Sequence, residues 1–402
     1  MTRTGREPAD FADVRSTNLS VVLGFVRANA PCSRADIAAS TGLNKATVSS
    51  LVGELIERRL LRETGLTERR IGRPATMLMM DGAPYAAVGL EVNTDHLAVV
   101  AIDLSGERLL AWRRAFPGRS GSANKSLATI AALARRALAR LHDDGRQVLG
   151  FAAGVAGLVD GDGSVRLAPN LGWRDVPLRD TLVHALGGPA YPVTVDNDAN
   201  LAAQAEYRYG PHAGTSHLVH LTSEIGVGAG IVVDGRLLHG GRGYAGEVGH
   251  LPVAPDGPTC TCGRRGCLEA VGSVAALLRR VNGAEPIDVE PEVADLVRRA
   301  RAQEPPVLAA LRDAGHHLGY GAALLANLVN PEVVILGGYY VPLAPWLLPP
   351  AQEELRARSV APEAGGCQLV ASALGQDATA TGGAAFVLDS VESGPLPLPA
   401  LT

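Results

Sequence analysis

Four side chains that bind soft metal ions are concentrated in one short segment of the sequence. The segment EVGHLPVAPDGPTCTCGRRGCLE contains these four ligands, namely His250, Cys260, Cys262 and Cys267. One imidazole and three thiolates can fill a closed tetrahedral shell around Zn²⁺, whereas magnesium and calcium disfavour soft thiolates. Gly263 and Gly266 permit the tight turns that such a knuckle needs. Because a closed shell leaves no open position, the pattern predicts a structural zinc site; the alternative is three buried or free thiols.

Carboxylates and an amide lie around this segment in the sequence. Asn197 and Asp198 follow an apolar stretch in VDNDAN, and Glu247 and Glu269 flank the cysteines. Such groups match the donors and acceptors of vicinal hydroxyls, so they predict sugar recognition. A carboxylate such as Asp198 could also deprotonate a sugar hydroxyl as a general base. Each residue alone could instead be a helix cap or a surface polar group, and Asn197 could cap the helix that follows it.

Apolar strands and amphipathic helices alternate from about residue 85 and predict an α/β body. The predicted strands span 86–92, 97–104, 148–155 and 193–196, and the predicted helices span 126–141 and 199–209. The hairpin-like segment 217–235 repeats the strand, polar turn, strand pattern of 89–106. This similarity indicates an approximate internal duplication, with two α/β halves facing a cleft of the kind in which ligands bind.

The first 60 residues have the spacing of a helix-turn-helix unit. Residues 15–30 have helical periodicity, and Ser33 with Asp36 forms a capping-box signal for a short second helix. A third helix is predicted after an N-cap asparagine, and its small and polar first residues suit entry into a major groove. The alternative is a plain three-helix bundle. The DNA-contacting residues predicted here are Asn44, Lys45, Ala46, Thr47, Ser49 and Ser50.

A basic hairpin is predicted to follow the third helix. Residues 60–64 and 76–79 resemble two short strands, and the sequence GLTERRIGRPA between them contains Arg69, Arg70 and Arg73. Arginines at the tip of such a wing can reach phosphates or a narrow minor groove. The alternative is a solvated basic turn, but the wing together with the helix-turn-helix favours DNA binding.

Composition sets the broad class of the protein. The 402 residues are 47% hydrophobic and 19% charged, which excludes a disordered polyelectrolyte, a collagen-like chain and a coiled coil. Residues 1–80 contain 12 basic and 8 acidic side chains and the remainder contains 25 and 33, so only the N-terminal part is basic. No apolar run approaches the roughly 18 residues of a membrane span, and no secretory signal is evident. We therefore expect a cytoplasmic protein without disulfides and without a membrane partner.

Residues 85–390 resemble the ROK family of bacterial sugar kinases and sugar-responsive repressors. The matching stretches are GVAGLVDGDG, APNLGW, VDNDAN, GVGAGIVVDG, GGRGYAGEVGHLPV, CTCGRRGCLEA and NPEVVILGG. The resemblance implies an actin-like/hexokinase-like body of two α/β subdomains, with zinc on the histidine and the three cysteines. It implies that sugar hydroxyls contact Asn197, Asp198, Glu247, His250 and Glu269, with Gly157 and Asn170 also at the cleft. His250 would then place one ring nitrogen on zinc and the other toward the sugar.

Two segments depart from the pattern of the family's kinases. The D-x-G-x-T phosphate loop of the first hairpin is replaced by residues 91–95, EVNTD, which lack the aspartate and the glycine. The second loop, G-T-G-x-G-x-G in the kinases, reads TSEIGVG over 222–228. Glu224 would place an anionic side chain where a triphosphate should lie, so ATP binding should weaken sharply. The sequence therefore predicts a protein without kinase activity, in which Asp198 is a vestigial base.

These features predict a sugar-responsive transcriptional repressor of carbohydrate-utilisation genes. We expect an N-terminal tail over 1–14, a winged helix-turn-helix over 15–80, a sugar-binding body over 85–392 with the zinc knuckle at 250–267, and a flexible tail over 393–402. The expected partners are a palindromic DNA operator, a monosaccharide or sugar phosphate, and a second copy or a tetramer of the chain. The alternatives are an ATP-dependent, glucokinase-like sugar kinase with a regulatory DNA-binding unit, and a regulator controlled by a partner protein.

Replacing Arg73 by alanine should weaken operator binding, because the change removes one cation from the predicted wing. Loss of one phosphate contact lowers the slope of log affinity against log salt concentration by about 1. Fluorescence anisotropy with a DNA duplex selected by the wild-type protein measures both quantities. Sugar binding, followed by thermal shift, should be unchanged. Full operator affinity in Arg73→Ala would exclude the predicted role of this arginine.

Overall fold

The computed structural model describes residues 11–68, 75–118, 122–360, 362–363 and 366–393. Within these ranges the chain forms an N-terminal unit of helices and a small sheet, followed by two α/β subdomains. This arrangement confirms the predicted fold class. None of the helices in these ranges combines the length and the hydropathy that a membrane crossing requires.

The N-terminal unit is a winged helix-turn-helix. Its elements are α1 (Phe11–Asn29), β1 (Cys32–Ser33), α2 (Arg34–Thr41), α3 (Lys45–Glu57), β2 (Leu61–Glu68) and β3 (Ala75–Met80). The strand β3 lies between β1 and β2 and is antiparallel to both. Two details differ from the sequence prediction, since α1 begins four residues before residue 15 and the two-residue β1 was not predicted. So short a strand carries no periodicity that a sequence pattern could reveal.

Side-chain caps set the first residues of α2 and α3. The Ser33 hydroxyl accepts a hydrogen bond from the Asp36 N–H (3.2 Å), and the Asp36 carboxylate accepts one from the Ser33 N–H (2.9 Å). This is the predicted capping box. The Asn44 side chain accepts a hydrogen bond from the Thr47 N–H at 2.8 Å, which makes it the N-cap of α3. The buried face of α3 consists of Val48, Leu51, Val52 and Leu55.

The first α/β subdomain is built on a five-stranded sheet. Its elements, with the helix that leads to the second subdomain, are β4 (Tyr85–Val92), β5 (His96–Ile102), β6 (Arg108–Ala115), α4 (Ala123–Asp143), β7 (Gln147–Val155), β8 (Leu158–Val159), β9 (Val165–Ala168), β10 (Trp173–Val176), α5 (Leu178–Ala185), β11 (Val193–Asn197) and α6 (Asp198–Tyr209). The strand β6 was not predicted, because its sequence RLLAWRRA lacks the alternation of a half-buried strand. The strands β8, β9 and β10 form a separate antiparallel sheet.

The second subdomain is built on another five-stranded sheet. Its elements are β12 (Leu218–Ser223), β13 (Val227–Val233), β14 (Arg236–Leu237), α7 (Leu268–Gly272), α8 (Val274–Asn282), α9 (Val289–Arg301), α10 (Pro305–Val329), β15 (Val333–Gly338), α11 (Tyr340–Arg358), β16 (Gln368–Ala371) and α12 (Ala378–Ser393). The segment between β14 and α7 contains the predicted knuckle and a short 3₁₀ turn, Val248–His250.

The two five-stranded sheets have the same topology. Their strand orders are β11-β7-β4-β5-β6 and β16-β15-β12-β13-β14. Each sheet is built around an antiparallel hairpin. One further antiparallel strand pairs with one side of the hairpin, and two parallel strands extend the sheet on the other side. This shared order is what the sequence similarity between 89–106 and 217–235 predicted.

Two helices, α6 and α12, fill the space between the sheets. The helix α12 packs on β4, β5 and β7 of the first sheet, α6 packs on β12 and β13 of the second, and the two helices pack on each other. Glycines allow these close approaches. A Cβ on Gly382 of α12 would lie 1.6 Å from the Leu201 carbonyl oxygen of α6, and a Cβ on Gly89 of β4 would lie 1.8 Å from the Ala380 carbonyl oxygen. Both contacts therefore join backbone to backbone.

The winged helix-turn-helix shares a hydrophobic core with the body. Val22 and Val26 of α1 belong to the same buried cluster as Tyr85 of β4 and Leu388 of α12. The buried Tyr85 hydroxyl donates a hydrogen bond to the carbonyl oxygen of Arg58, just past the end of α3 (2.8 Å). The DNA-binding unit is thus packed against the first sheet and against α12.

Replacing Gly382 by alanine should destabilise the fold, because the added methyl group would overlap the backbone of α6. Overpacking of this kind costs about 1–3 kcal/mol, and more where backbone must move. Thermal and urea denaturation of Gly382→Ala measure the effect. The matched control is Gly161→Ala, since a Cβ at this exposed turn would meet nothing within 4 Å. Equal stability of the two variants would contradict the close crossing.

Candidate ligand-binding cleft and metal centre

Asn197 connects the start of α6 to the glycine-rich turn after β7. Its side-chain oxygen accepts hydrogen bonds from the backbone N–H groups of Ala199 (2.9 Å) and Asn200 (3.3 Å). The amide nitrogen donates to the carbonyl oxygen of Gly157 (3.0 Å). The cap that the sequence offered as an alternative role is therefore present. The same side chain also draws Gly157 to the N-terminus of α6.

Asp198 is the first residue of α6 and lies among other carboxylates. Burial, together with the nearby carboxylate of Glu91, raises the pKa of Asp198 to about 6. A helix N-terminus favours a negative charge, so the raised pKa means that desolvation and like-charge repulsion outweigh this contribution here. A carboxyl group in this state has a strong preference for hydroxyl donors, because each donated hydrogen bond stabilises its ionised form.

Glu269, the second residue of α7, reaches the turn between β12 and β13. Its carboxylate accepts hydrogen bonds from the Val227 N–H (3.3 Å) and the Thr261 hydroxyl (3.2 Å). A Cβ on Gly226 would lie 2.3 Å from the Glu269 Oε2 atom and 3.9 Å from the Asn170 amide nitrogen. The absence of a side chain at Gly226 thus lets Glu269 and Asn170 lie on the same side of this turn.

Glu247 completes the group of carboxylates. Burial and the charges of Asp198 and Glu269 raise the pKa of Glu247 to about 7. Its Oε2 atom is 3.9 Å from the Nε2 atom of His250. The contacts and mutual charge effects thus bring near one another the residues that the resemblance assigned to a sugar, namely Gly157, Asn170, Asn197, Asp198, Glu247, His250 and Glu269.

The four metal-ligand residues form a compact cluster beside this cleft. One ligand atom from each of His250, Cys260, Cys262 and Cys267 lies within 4.8 Å of all the others. The Cys262 and Cys267 sulfur atoms are 3.6 Å apart, and the Cys260 sulfur is 3.7 Å from the His250 Nδ1 atom. Tetrahedral zinc with Zn–S bonds of 2.3 Å separates its sulfur ligands by about 3.8 Å. The cluster can therefore hold a metal ion.

The backbone around the cysteines follows tight turns. The Gly263 N–H donates to the Cys260 carbonyl oxygen (2.9 Å), and the Cys260 N–H donates to the Arg264 carbonyl oxygen (2.7 Å). Gly263 and Gly266 have φ values of 84° and 67°, which side-chain-bearing residues rarely adopt. His250 presents Nδ1 to the cysteines and Nε2 to Glu247, so its two ring nitrogens face the cluster and the cleft respectively.

The turn between β4 and β5, which the sequence analysis compared with the first kinase phosphate loop, contains ion pairs. His96 is buried, and its Nδ1 and Nε2 atoms lie 2.7 Å from the Asp95 and 3.3 Å from the Glu91 carboxylates. Burial alone would lower the pKa of His96, but the hydrogen bonds to Asp95 and Glu91 raise it to about 10. An imidazolium between two carboxylates thus occupies this hairpin. Sequence analysis did not single out His96, because no spacing rule marks such a pair.

Glu224 lies in the turn between β12 and β13, which the sequence analysis compared with the second kinase phosphate loop. Burial, and then the charge of Glu91, raise the pKa of Glu224 to about 8. Its Oε1 atom is close enough to Gly338, the last residue of β15, that a Cβ on this glycine would lie 2.9 Å away. The Glu224 carboxyl thus lies just past the end of β12, beside the end of β15.

The predicted DNA-contacting residues divide between described and undescribed parts of the chain. On the face of α3 opposite its buried side, Lys45, Ala46, Ser49 and Ser50 are exposed, as is the N-cap Asn44, and Thr47 is half-buried. The wing arginines Arg69, Arg70 and Arg73 lie outside the described residues. The strands on either side of them pair as far as Glu68, which is opposite Ala75, with a shift of register between Glu63 and Thr67.

Comparisons with known proteins agree with this two-part structure. The ROK family model matches residues 87–390, and the MarR family model matches residues 20–70. The chain is 29% identical to the xylose repressor of Bacillus subtilis over 381 residues, which are 95% of this chain and 97% of the repressor. The sequence motifs that contain the cleft residues and the four metal-ligand residues lie within the residues matched by the ROK family model.

Solved structures of both branches of the family resemble the chain. A ROK family transcriptional regulator, a homologue of the Escherichia coli Mlc protein, superposes with a TM-score of 0.79 at 26% identity and covers 94% of this chain and 97% of its own. A ROK family glucokinase from Streptomyces griseus, in complex with glucose and AMPPNP, superposes with a TM-score of 0.62 at 29% identity and covers 75% of this chain and 98% of its own. The chain therefore belongs to the ROK family and carries a winged helix-turn-helix before the family's two-subdomain body.

Proposed function

We propose that this protein is a sugar-responsive DNA-binding repressor of carbohydrate-utilisation genes. The observation that carries the proposal is the presence, in one chain, of grouped carboxylates and amides suited to sugar hydroxyls and of a winged helix-turn-helix whose third helix exposes its polar face. The xylose repressor is similar over almost its whole length and supports the same function. A sugar bound in the cleft would change the affinity of the winged helix-turn-helix for its operator.

The effector that fits the cleft best is a neutral monosaccharide. Asp198, Glu247 and Glu269 offer acceptor oxygens, Asn170 offers an amide, and the His250 Nε2 atom faces the same space. A phosphorylated sugar would add a dianion to a space where burial, and then mutual repulsion, already raise the carboxyl pKa values. D-xylose and D-glucose, the sugars that the names and complexes of the relatives suggest, are the first two to test.

Kinase activity is the second candidate function, and it is favoured by Asp198 and by the similarity to a glucokinase. A phosphoryl donor needs a cradle of backbone N–H groups or cations. The two corresponding positions here contain the His96 ion pairs and the Glu224 carboxyl. We therefore propose a protein without kinase activity. ADP release in the presence of Mg-ATP and glucose would establish the alternative.

The histidine and cysteine cluster is proposed to hold a structural Zn²⁺ ion. Three thiolates and one imidazole suit zinc and complete a four-coordinate shell, so no open position remains for chemistry. A bound zinc ion would supply positive charge and fix the orientation of the His250 ring. With Nδ1 directed to the metal, Nε2 would be held toward the hydroxyl-binding carboxylates.

The DNA-bound form is proposed to be a homodimer, or a tetramer built from dimers, on a palindromic operator. Two recognition helices in a dimer contact half-sites about one helical turn apart. In each copy, Asn44, Lys45, Ala46, Thr47, Ser49 and Ser50 would lie against the major groove. Arg69, Arg70 and Arg73 would contact phosphates or the adjacent minor groove.

Replacing Asp198 by asparagine should lower the affinity for sugar and leave operator binding intact. A hydrogen bond to a charged group contributes about 1.5–3 kcal/mol, so a loss of about tenfold or more is expected. Isothermal titration with D-xylose and D-glucose measures the sugar affinity, and fluorescence anisotropy measures operator affinity. The control is Asp256→Asn, which removes an exposed carboxylate outside the cleft. Wild-type sugar affinity in Asp198→Asn would contradict the proposed site.

Replacing Cys262 by serine should abolish binding of one zinc ion per chain, because an alcohol is a far weaker ligand than a thiolate. Metal content of the purified protein, measured by mass spectrometry, gives the direct readout. The melting temperature should fall as well, since zinc stabilises only the folded state. The matched control is Cys367→Ser, a cysteine remote from the cluster. A full zinc content in Cys262→Ser would exclude the four-ligand site.

A further inference from the structure

The helix α12 contacts the sugar-binding end of α6. In its first turn, the Thr379 hydroxyl donates a hydrogen bond to the carbonyl oxygen of Asp198 (3.3 Å). One turn later, Gly382 allows α12 to lie directly against the backbone at Leu201. Because the Gly382 contact joins backbone to backbone and the Thr379 hydroxyl ties α12 to the first residue of α6, a shift at the start of α6 is passed to α12.

Near its other end, α12 joins α6 to the winged helix-turn-helix through the carboxylate of Asp389. The Asp389 side chain accepts hydrogen bonds from Gln204 and Arg208 of α6 and from Arg27 of α1. The Arg208 side chain is only 5% exposed, and the Asp389 carboxylate helps to compensate its charge. Arg27 is 37% exposed and lies 3.4 Å from the same carboxylate.

Apolar packing reinforces this connection. Val387, Leu388 and Val391 of α12 belong to the same buried cluster as Val22 and Val26 of α1. The DNA-binding unit therefore rests on the last two turns of α12, with the Arg27–Asp389 pair at the edge of the apolar contact. A tilt of α12 changes where α1 sits, and through the shared core of the unit it changes where α3 points.

We propose that α6 and α12 form the mechanical link between the sugar cleft and the DNA-binding unit, with the Arg27–Asp389 pair as its joint. This inference rests on the proposed function. Sugar contacts at Asp198 shift the start of α6, the α6–α12 pair moves with it, and Asp389 carries the movement to α1. Asp389 and Arg27 are positioning residues, since neither lies in the cleft or on the recognition face. Allosteric couplings of this kind typically change affinity by 5–150-fold.

The decisive variant is Arg27→Gln, which breaks the joint and leaves the buried bonds of Asp389 to α6 in place. The matched control is Arg15→Gln on the same helix. Arg15 pairs with Glu54 of α3 at 2.6 Å, inside the DNA-binding unit and away from the body. Both variants lose one arginine from α1, but only one of them alters the joint.

The readout is the ratio of operator affinities without and with sugar, measured by fluorescence anisotropy with D-xylose and D-glucose. We expect this ratio to fall to less than a third of the wild-type value in Arg27→Gln and to stay unchanged in Arg15→Gln. Sugar affinity, measured by isothermal titration, should remain within twofold of wild type in both variants. A purely structural role of Arg27 would alter stability or basal operator affinity without changing the ratio.

A near-isosteric second variant tests the other side of the joint. Asp389→Asn should lower the ratio at least as far, because it removes the charge that faces Arg27 and also weakens the bonds to α6. Adding Arg27→Gln to Asp389→Asn should give no further decrease, since the joint is already broken. If Arg27→Gln keeps the wild-type ratio, the joint is excluded while the proposed function stands. If the wild-type protein itself shows no change of operator affinity with any sugar that binds, the proposed function fails and the link fails with it.

Discussion

The backbone contact between α6 and α12 is the constraint on which the rest of this structure depends. The two sheets have the same topology. The helix α12 packs on the first sheet, α6 packs on the second, and the two helices pack on each other. Gly382 places no side chain at the crossing with Leu201, so at that point the separation of the helices is set by backbone van der Waals radii. The cleft residues at the start of α6 and the DNA-binding unit at the end of α12 are therefore attached to a common rigid pair.

The second physical theme is the electrostatic character of the cleft. Asp198, Glu247 and Glu224 have raised pKa values because they are desolvated near one another. A kinase of this fold must instead attract a triphosphate, which requires backbone N–H groups and cations. Here the one buried cation of the first hairpin, His96, is already neutralised by Asp95 and Glu91. The charge balance favours a neutral polyhydroxyl ligand, which donates hydrogen bonds to carboxylates and adds no charge.

The sequence predicted those features that depend on residues close together along the chain, and it predicted less of those that depend on distant residues. Capping by Ser33 and Asn44 and the ligand cluster around Cys260 are local, so spacing alone predicted them, and the structure contains the capping box and the compact cluster. The meeting of Asp198 with Glu247 depends on the crossing of distant elements, and the sequence offered it only through a family resemblance. The strand β6 was not predicted, because this edge strand with exposed arginines lacks an alternation of buried and exposed residues.

A buried carboxyl at the start of α6 has a physical use in a sugar-responsive repressor. In the sugar-free cleft, burial holds Asp198 at a pKa of about 6, so its ionised form is poorly solvated. A sugar hydroxyl that donates to this carboxylate replaces the missing solvation, and the free energy gained depends on how closely the hydroxyl and the start of α6 approach. Binding therefore favours the position of α6 in which that contact is shortest. In an enzyme the same contact would stabilise the transition state of phosphoryl transfer. In a repressor it can stabilise one position of a helix.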